Sequence, residues 1–198
     1  PLRRDQGTGA DDLICASRPR RPHMLPTKEA AQALLRQHVS DEYQLLHALM
    51  VATALEGYAT HPVASETPAT GLPHLRDSAP AFGATTAPLP PAVSPDPHLW
   101  YLTGLLHVID FQEHPDAHPA PSLQWFKDWG YPDSLIHAVE AHAYGYHGFT
   151  TLPQTKLAAA LVACDEMTGI FYAYRKMNPV RYGDMKASSL RKKFKDPG

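Results

Sequence analysis

Cysteine, net charge and long apolar runs are all scarce in this sequence, and each scarcity excludes a class of protein. Only two of the 198 residues are cysteine, Cys15 and Cys164, too few for a disulfide framework, so a reducing compartment is expected. The formal net charge is −2, which gives the molecule no electrostatic attraction to nucleic acid or to an anionic membrane. No uninterrupted apolar run reaches the roughly 18 residues of a membrane span. These absences predict a soluble, cytoplasmic protein.

The sequence also lacks the alternation of polar and apolar residues that is typical of β-strands, and its apolar residues follow helical spacing. No segment alternates polar and apolar residues over the length of a strand. Apolar residues recur instead at spacings of three and four, which predicts an all-α fold. Thr27 is placed to cap the first helix, and Ser40 to cap a second that runs to about Ala59. Later helices are predicted at about 99–112, 119–129, 132–143, 154–176 with a break at Gly169, and 184–194.

Two segments lack the composition of a folded core. Residues 1–23 carry scattered arginines without apolar periodicity, and we expect a disordered leader or a non-native extension, with Met24 as the native start. An arginine-rich targeting segment is the alternative, weakened by the acidic residues among them. Residues 61–98 contain nine prolines, which predicts a long Pro-rich loop between the second and third helices of a single domain spanning 24–198.

Histidine is the unusual entry in the composition, with twelve copies. His107 and Asp110 lie inside the apolar stretch 105–111, Leu-Leu-His-Val-Ile-Asp-Phe. A buried imidazole and a buried carboxylate need partners, because an isolated charge in a low-dielectric interior is costly. The available partners are each other, further histidines, or a metal ion.

Other polar residues on predicted inward faces extend this pair into a possible site. They are His47, His107, Asp110, His142 and Asp165, with His118 at the junction of a loop and a helix. Histidines and carboxylates that several helices bring into one core can form a metal site. Because the ligands are nitrogen and oxygen rather than thiolate, the expected cofactor is a divalent manganese, iron, magnesium or zinc ion.

The order of these motifs resembles the HD-domain metal-dependent phosphohydrolases, over about residues 34–195. That family has a histidine on one helix, a His-Asp pair on a later one and a distant aspartate. The similar segments here are Gln44-Leu-Leu-His47, Trp100 to Phe111, Glu113 to Pro119, Gly130-Tyr-Pro, Ile136 to His142, Ala163-Cys-Asp165-Glu-Met-Thr-Gly169 and the basic stretch Lys186 to Lys195.

The resemblance implies a site and a reaction. His47, His107 and Asp165 would hold a divalent cation, while His118 and His142 would lie near a second metal or the phosphate of a substrate. A cation lowers the pKa of bound water and neutralises charge that develops on phosphoryl oxygens. Three residues after His107, and so on roughly the same helical face, Asp110 would orient that water or act as the catalytic base.

This sequence also departs from the family pattern. Val108 stands where the family has the aspartate of its His-Asp pair, and Gln112 stands where a glutamate is frequent. We therefore carry two functional hypotheses, with a purely structural helical module as a weaker third. The first is metal-dependent hydrolysis of a small phosphorylated compound such as a nucleotide. The second is a catalytically impaired relative that binds a ligand or partner.

Simpler interpretations exist for single residues. Taken one at a time, His47 and His107 are typical of core histidines that are hydrogen bonded. Asp110, taken alone, is typical of a structural partner for His107. His118 can cap a turn, and His142 can pack within the aromatic stretch that follows it. We interpret His114, His137 and His147 as surface residues, the basic residues of 186–195 as a solvated helix face, and the aromatic set Trp125, Phe126, Trp129 and Tyr131 as core packing.

Overall fold

The computed structural model describes residues 24–61 and 95–195. Seven α-helices and no strand occur within these ranges, which confirms the all-α prediction. The helices are α1 Lys28–His38, α2 Glu42–Thr60, α3 Pro97–Leu106, α4 Ala120–Asp128, α5 Asp133–His142, α6 Lys156–Met177 and α7 Ala187–Lys195, with a short 3-10 helix at Tyr182–Asp184 before α7. The predicted leader and nearly all of the Pro-rich loop lie outside the described residues.

Short polar side chains begin most of these helices. Thr27 accepts a hydrogen bond from the backbone N–H of Ala30 at the start of α1, as predicted. The prediction that Ser40 caps α2 is wrong by one residue, since Asp41 accepts from the N–H of Gln44. At α3, Asp96 caps the helix and Pro97 occupies its first turn, where the missing N–H is tolerated.

The core forms where α2 and α3 cross at very short range. A Cβ atom added to Gly104 would lie 2.8 Å from the Cα atom of Ala52 and 2.9 Å from the carbonyl carbon of Val51. Only glycine therefore permits this approach of the two backbones. The crossing brings the middle of α2 against the end of α3, the two elements that carry His47 and His107.

Around this crossing, α1 packs on α3, α6 packs on both α2 and α5, and α4 packs on α5. The predicted break of α6 at Gly169 is wrong, because the helix continues through that residue to Met177. Glycine weakens a helix without necessarily ending it. Since α6 is continuous, Asp165 lies near its middle, facing α2 and the end of α3.

The end of α3 differs from the sequence prediction in a way that shapes the site. The helix was predicted to reach residue 112 but ends at Leu106, and residues 107–113 form tight turns. The backbone N–H of Ile109 donates to the carbonyl of Leu106 at 3.1 Å, a three-residue spacing that replaces the helical one. All residues from 101 to 110 are buried, so hydrophobicity along the chain contains no sign of where the helix ends.

One described helix, α6, is long and apolar enough to cross a membrane by length and composition alone. Core helices of soluble proteins pass the same test, so a single case is a weak indication. Here α6 packs against α2 and α5. This arrangement is compatible with a soluble protein, and the cytoplasmic location stays a prediction.

Candidate metal centre

Three of the predicted ligands converge at one point between α2, the end of α3 and α6. The Oδ1 atom of Asp165 lies 3.0 Å from Nε2 of His47 and 3.5 Å from Nε2 of His107. The two Nε2 atoms lie 3.3 Å apart. A tetrahedral ion about 2.1 Å from each ligand would separate its ligands by about 3.4 Å. The three atoms therefore have the spacing that a shared metal ion requires.

Hydrogen bonds behind the two imidazoles decide which nitrogen faces this point. Nδ1 of His107 lies 2.7 Å from the carbonyl oxygen of Gly104, which can only accept, so Nδ1 carries the proton. The hydroxyl of Thr168 donates to the carbonyl of Asp165 at 2.8 Å and therefore accepts from Nδ1 of His47 at 3.0 Å. In neutral form, both Nε2 atoms present lone pairs. Two facing lone pairs repel unless a proton or a metal ion lies between them.

Asp165 is held in its charged form. Burial alone would raise the pKa of its carboxyl group, but hydrogen bonds from His107 and His47 outweigh burial and hold the pKa well below its usual range. Those hydrogen bonds need a proton on Nε2, where a metal ion would otherwise bind.

A second pair of histidines lies beside the first. Nε2 of His118 and Nε2 of His142 are 3.1 Å apart, and the rings of His142 and His107 meet edge to face with centroids 5.3 Å apart. Nδ1 of His142 donates to the carbonyl of Val139, so its Nε2 also presents a lone pair. Burial, with the nearby charges of His107 and His118, lowers the pKa of His142 to about 3. His142 is therefore neutral at physiological pH.

The structure places Asp110 behind His118 rather than beside the first three ligands. Its Oδ1 accepts from Nδ1 of His118 at 2.6 Å, and its Oδ2 accepts from the backbone N–H of Ser122 at 3.0 Å. The carboxylate is fully buried. Because α3 ends at Leu106, the premise that put Asp110 and His107 on one helical face is wrong. Asp110 is a positioning residue for His118, and its partner is not His107.

Four of these side chains line a cleft of about 350 Å³: His47, His118, His142 and Asp165. His107 and Asp110 are fully buried behind them. Val108, only 8% exposed, lies in the wall of the cleft, so the position where the family resemblance expects a carboxylate offers only methyl groups. Among the described residues the lining includes the carboxylates of Asp165 and Glu166 and no lysine or arginine. Apart from the imidazoles, the described lining of the cleft has no group that can carry a positive charge and receive an anion.

Gln112 lies outside this cleft. Its Oε1 accepts hydrogen bonds from the backbone N–H groups of Ser40 at 2.8 Å and Asp41 at 3.0 Å. It therefore holds the turn between α1 and α2 against the end of α3. HD-domain phosphohydrolases, which the motifs resemble, frequently have a glutamate at this position. In this chain the position holds Gln112, which joins two loops.

Of the predictions for the remaining histidines, some are confirmed and one is wrong. His114 and His147 are exposed, as predicted. The surface interpretation of His137 is wrong, because the residue is half-buried and its Nε2 has no hydrogen-bond partner among the described residues. His142 is turned toward His118.

The basic and aromatic sets behave mostly as predicted. Lys186, Arg191 and Lys192 are exposed and do not line the cleft. Phe126 and Tyr131 are buried in the core, where burial raises the pKa of Tyr131 to about 12. The core assignment is wrong for Trp129, which is 37% exposed.

Two residues that the sequence did not single out support the site. Thr168 orients His47 through its hydroxyl. It lies one turn after Asp165, a spacing that places both on one face of α6 and was therefore available in the sequence. Gly104 supplies the carbonyl that orients His107, and no side-chain pattern could reveal that contact.

Comparison with known proteins gives no match: no family model, curated protein or solved structure is similar to this chain. The likeness to HD-domain phosphohydrolases therefore depends on the order of the motifs alone.

Proposed function

We propose that this protein is a metal-dependent hydrolase of a small phosphorylated compound, of the type that its motifs resemble. One observation carries the proposal. The Nε2 atoms of His47 and His107 and the Oδ1 atom of Asp165 lie 3.0–3.5 Å from one another, with both Nδ1 atoms engaged elsewhere. Residues without a shared ligand have little reason to direct two lone pairs and a carboxylate at one point.

The donor set fits a divalent cation. Two neutral imidazoles and one carboxylate suit zinc, iron or manganese better than they suit calcium. Three protein ligands also leave positions free for water and substrate, as in catalytic zinc sites. When bound, such a cation would lower the pKa of water and neutralise charge on the phosphoryl group.

The other residues of the cleft have roles that follow from their positions. His118 and His142 line the cleft. With the proton on Nδ1, each Nε2 can accept a hydrogen bond from a water molecule or from a protonated substrate oxygen, or bind a second cation. Asp110 holds His118 in one tautomer and one orientation. Because no lysine or arginine lines the described part of the cleft, a phosphorylated substrate depends on the cation and the imidazoles to offset Asp165 and Glu166.

A second candidate function has an observation of its own. Val108 lies in the wall of the cleft, where the family resemblance places a metal-binding aspartate. Loss of one carboxylate weakens the attraction for a dication. We therefore also propose, as the alternative, a catalytically impaired relative that retains the cleft for binding a ligand or partner.

Metal content and phosphatase activity, measured together on four proteins, test both proposals. The wild type should hold about one Mn²⁺ or Zn²⁺ ion per chain and hydrolyse at least one phosphomonoester of a nucleotide and aryl phosphate panel. Asp165→Asn should lower metal affinity by at least about 10- to 100-fold, the loss typical of residues that only support a ligand. Glu166→Gln, the adjacent carboxylate outside the triad, is the matched control and should keep the metal.

The fourth protein, Val108→Asp, separates the two candidates. If activity appears only in this variant, the impaired relative is the correct interpretation. If the wild type holds less than about a tenth of an equivalent of metal and hydrolyses nothing, the enzyme proposal fails.

A further inference from the structure

A second cavity, which shares no lining residue with the histidine cleft, lies between α2, α6 and the C-terminal segment. Its volume is about 460 Å³, within the roughly 300–1,000 Å³ of small-molecule sites. The walls are apolar, with no charged side chain among the described residues. Its large apolar lining residues are Leu46, Leu49, Met50, Phe171, Met185 and Leu190.

Three hydroxyl groups occur on the residues that line this cavity, and only one is available to a ligand. Thr53 donates to the carbonyl of Leu49 at 2.8 Å, and Thr168 is engaged by Asp165 and His47. The hydroxyl of Tyr182 is buried and has no hydrogen-bond partner among the described residues. A buried donor without a partner costs free energy, which an acceptor atom on a ligand would recover.

Thr168 belongs to both sites. Its side chain lines the second cavity, while its hydroxyl accepts from Nδ1 of His47 at 3.0 Å. A molecule packed against Thr168 would restrict the side chain to the rotamer that holds His47 with Nε2 toward Asp165. The two sites are therefore connected by one side chain.

We propose that this cavity binds an uncharged small molecule with an apolar body and a single hydrogen-bond acceptor, such as a phenyl-substituted alkyl ketone, and that its occupancy is coupled to His47 through Thr168. The ligand is uncharged because the walls offer no opposite charge to offset desolvation. Its acceptor atom accepts a hydrogen bond from the Tyr182 hydroxyl. Two flexible side chains of the lining, Met50 on α2 and Met185 in the C-terminal segment, can adjust to the shape of the apolar body.

Methionine-methyl NMR on the metal-free full chain tests binding directly. The sequence has five methionines, of which Met50 and Met185 line the cavity. Met24 and Met177 lie at the surface, 94% and 58% exposed, and are internal controls. Titration with 4-phenyl-2-butanone should shift the Met50 and Met185 signals saturably and leave the other two unchanged. No saturable shift, or equal shifts of all four, overturns the proposal.

Variants test the chemistry of the site. Tyr182→Phe, which removes only the hydroxyl, should weaken ketone binding by about two- to tenfold and leave binding of butylbenzene, which has no acceptor, unchanged. Equal ketone affinity in Tyr182→Phe and wild type overturns the role of the hydroxyl. Leu49→Trp, a larger side chain at the 42% exposed rim, should abolish binding of both probes. Unchanged binding in that variant places the probes elsewhere and overturns the site.

The coupling depends on the proposed metal site, so it is measured separately from binding. Saturating ketone should tighten Mn²⁺ binding by at least about fivefold in the wild type. The effect should disappear in Thr168→Val and persist in Thr168→Ser, which keeps the hydroxyl. An unchanged Mn²⁺ affinity overturns the coupling. Since the NMR titration uses metal-free protein, failure of the metal site alone would leave the binding result intact.

Discussion

At the scale of single residues, the site depends on which nitrogen of each histidine is engaged. The Nδ1 atoms of His47, His107, His118 and His142 each donate to a fixed oxygen of the protein. In the neutral state every Nε2 then carries a lone pair, and these atoms face one another in two pairs, His47 with His107 and His118 with His142. The backing oxygen, and not the imidazole itself, decides what each histidine offers.

Asp110 gives the first prediction, which concerns stability and its dependence on pH. Burial raises the pKa of this carboxyl group, but the hydrogen bond and charge of His118 outweigh burial and hold the pKa below its usual value. A lowered pKa in the folded state stabilises the protein above the unfolded value of about 4, and this contribution is lost as pH falls through the folded pKa. Asp110→Asn should therefore lower the free energy of unfolding at pH 7 by about 1–3 kcal/mol.

Urea unfolding at pH 7 and at pH values below about 4 checks this prediction. The gap between wild type and Asp110→Asn should narrow in acid, because the wild type loses the charge that the variant already lacks. Asp116→Asn, an exposed aspartate in the same connection, is the control and should change stability little at either pH. A gap that stays constant with pH would show that the charge of Asp110 contributes nothing.

At the scale of helices, the close crossing of α2 and α3 is the contact on which the site is built. Gly104 allows it, and the carbonyl of the same residue orients His107. One residue thus sets both the distance between the helices and the direction of a ligand.

Gly104→Ala is the matching prediction. Alanine favours a helix over glycine by about 0.8–1.0 kcal/mol, yet the added methyl group would lie 2.8 Å from the backbone of Ala52. Overpacking of this kind costs typically about 1–3 kcal/mol. We expect a net loss of stability together with weaker metal binding, because His47 and His107 would be pushed apart.

The control is Gly169→Ala in α6, where an added Cβ meets nothing within 4 Å. It should stabilise the protein by roughly 0.5–1 kcal/mol. Chemical unfolding of both variants and the wild type measures the change in the free energy of unfolding that each substitution causes. Equal effects of the two substitutions would mean that the crossing of α2 and α3 is not tight.

At the scale of the whole molecule, the proposed ion would connect parts of the chain that are far apart in sequence. His47 lies on α2, His107 at the end of α3 and Asp165 on α6. Because the three ligands meet only in the folded state, metal binding and folding are linked.

The corresponding prediction is a rise in stability with metal concentration. At a free Mn²⁺ or Zn²⁺ concentration about 100 times the Kd, the free energy of unfolding should increase by about 2.7 kcal/mol, and a chelator should reverse the increase. Thermal unfolding of wild type, Asp165→Asn and Glu166→Gln measures it. An equal increase in Asp165→Asn would mean that metal stabilises the protein at another place.

The sequence alone determined much of this protein. Periodicity predicted the helices, because burial of an apolar stripe repeats along the chain in a way that can be counted. The polar residues on inward faces singled out His47, His107, Asp110, His142 and Asp165, because unsatisfied polar groups are too costly to occur there without a partner. The family resemblance then implied that three of them, His47, His107 and Asp165, are the metal ligands.

Only the tertiary structure decided how those residues pair. The sequence could not reveal that α3 ends at Leu106, because a buried helix and a buried turn have the same apolar composition. The partnership of Asp110 with His118, and of Thr168 with His47, depends on directions that side chains take when helices cross. Hydrogen bonds are short and directional, so which groups pair depends on how distant segments are oriented in the folded chain. The tendency of a side chain to be buried depends mainly on its own hydrophobicity, which can be read from the sequence.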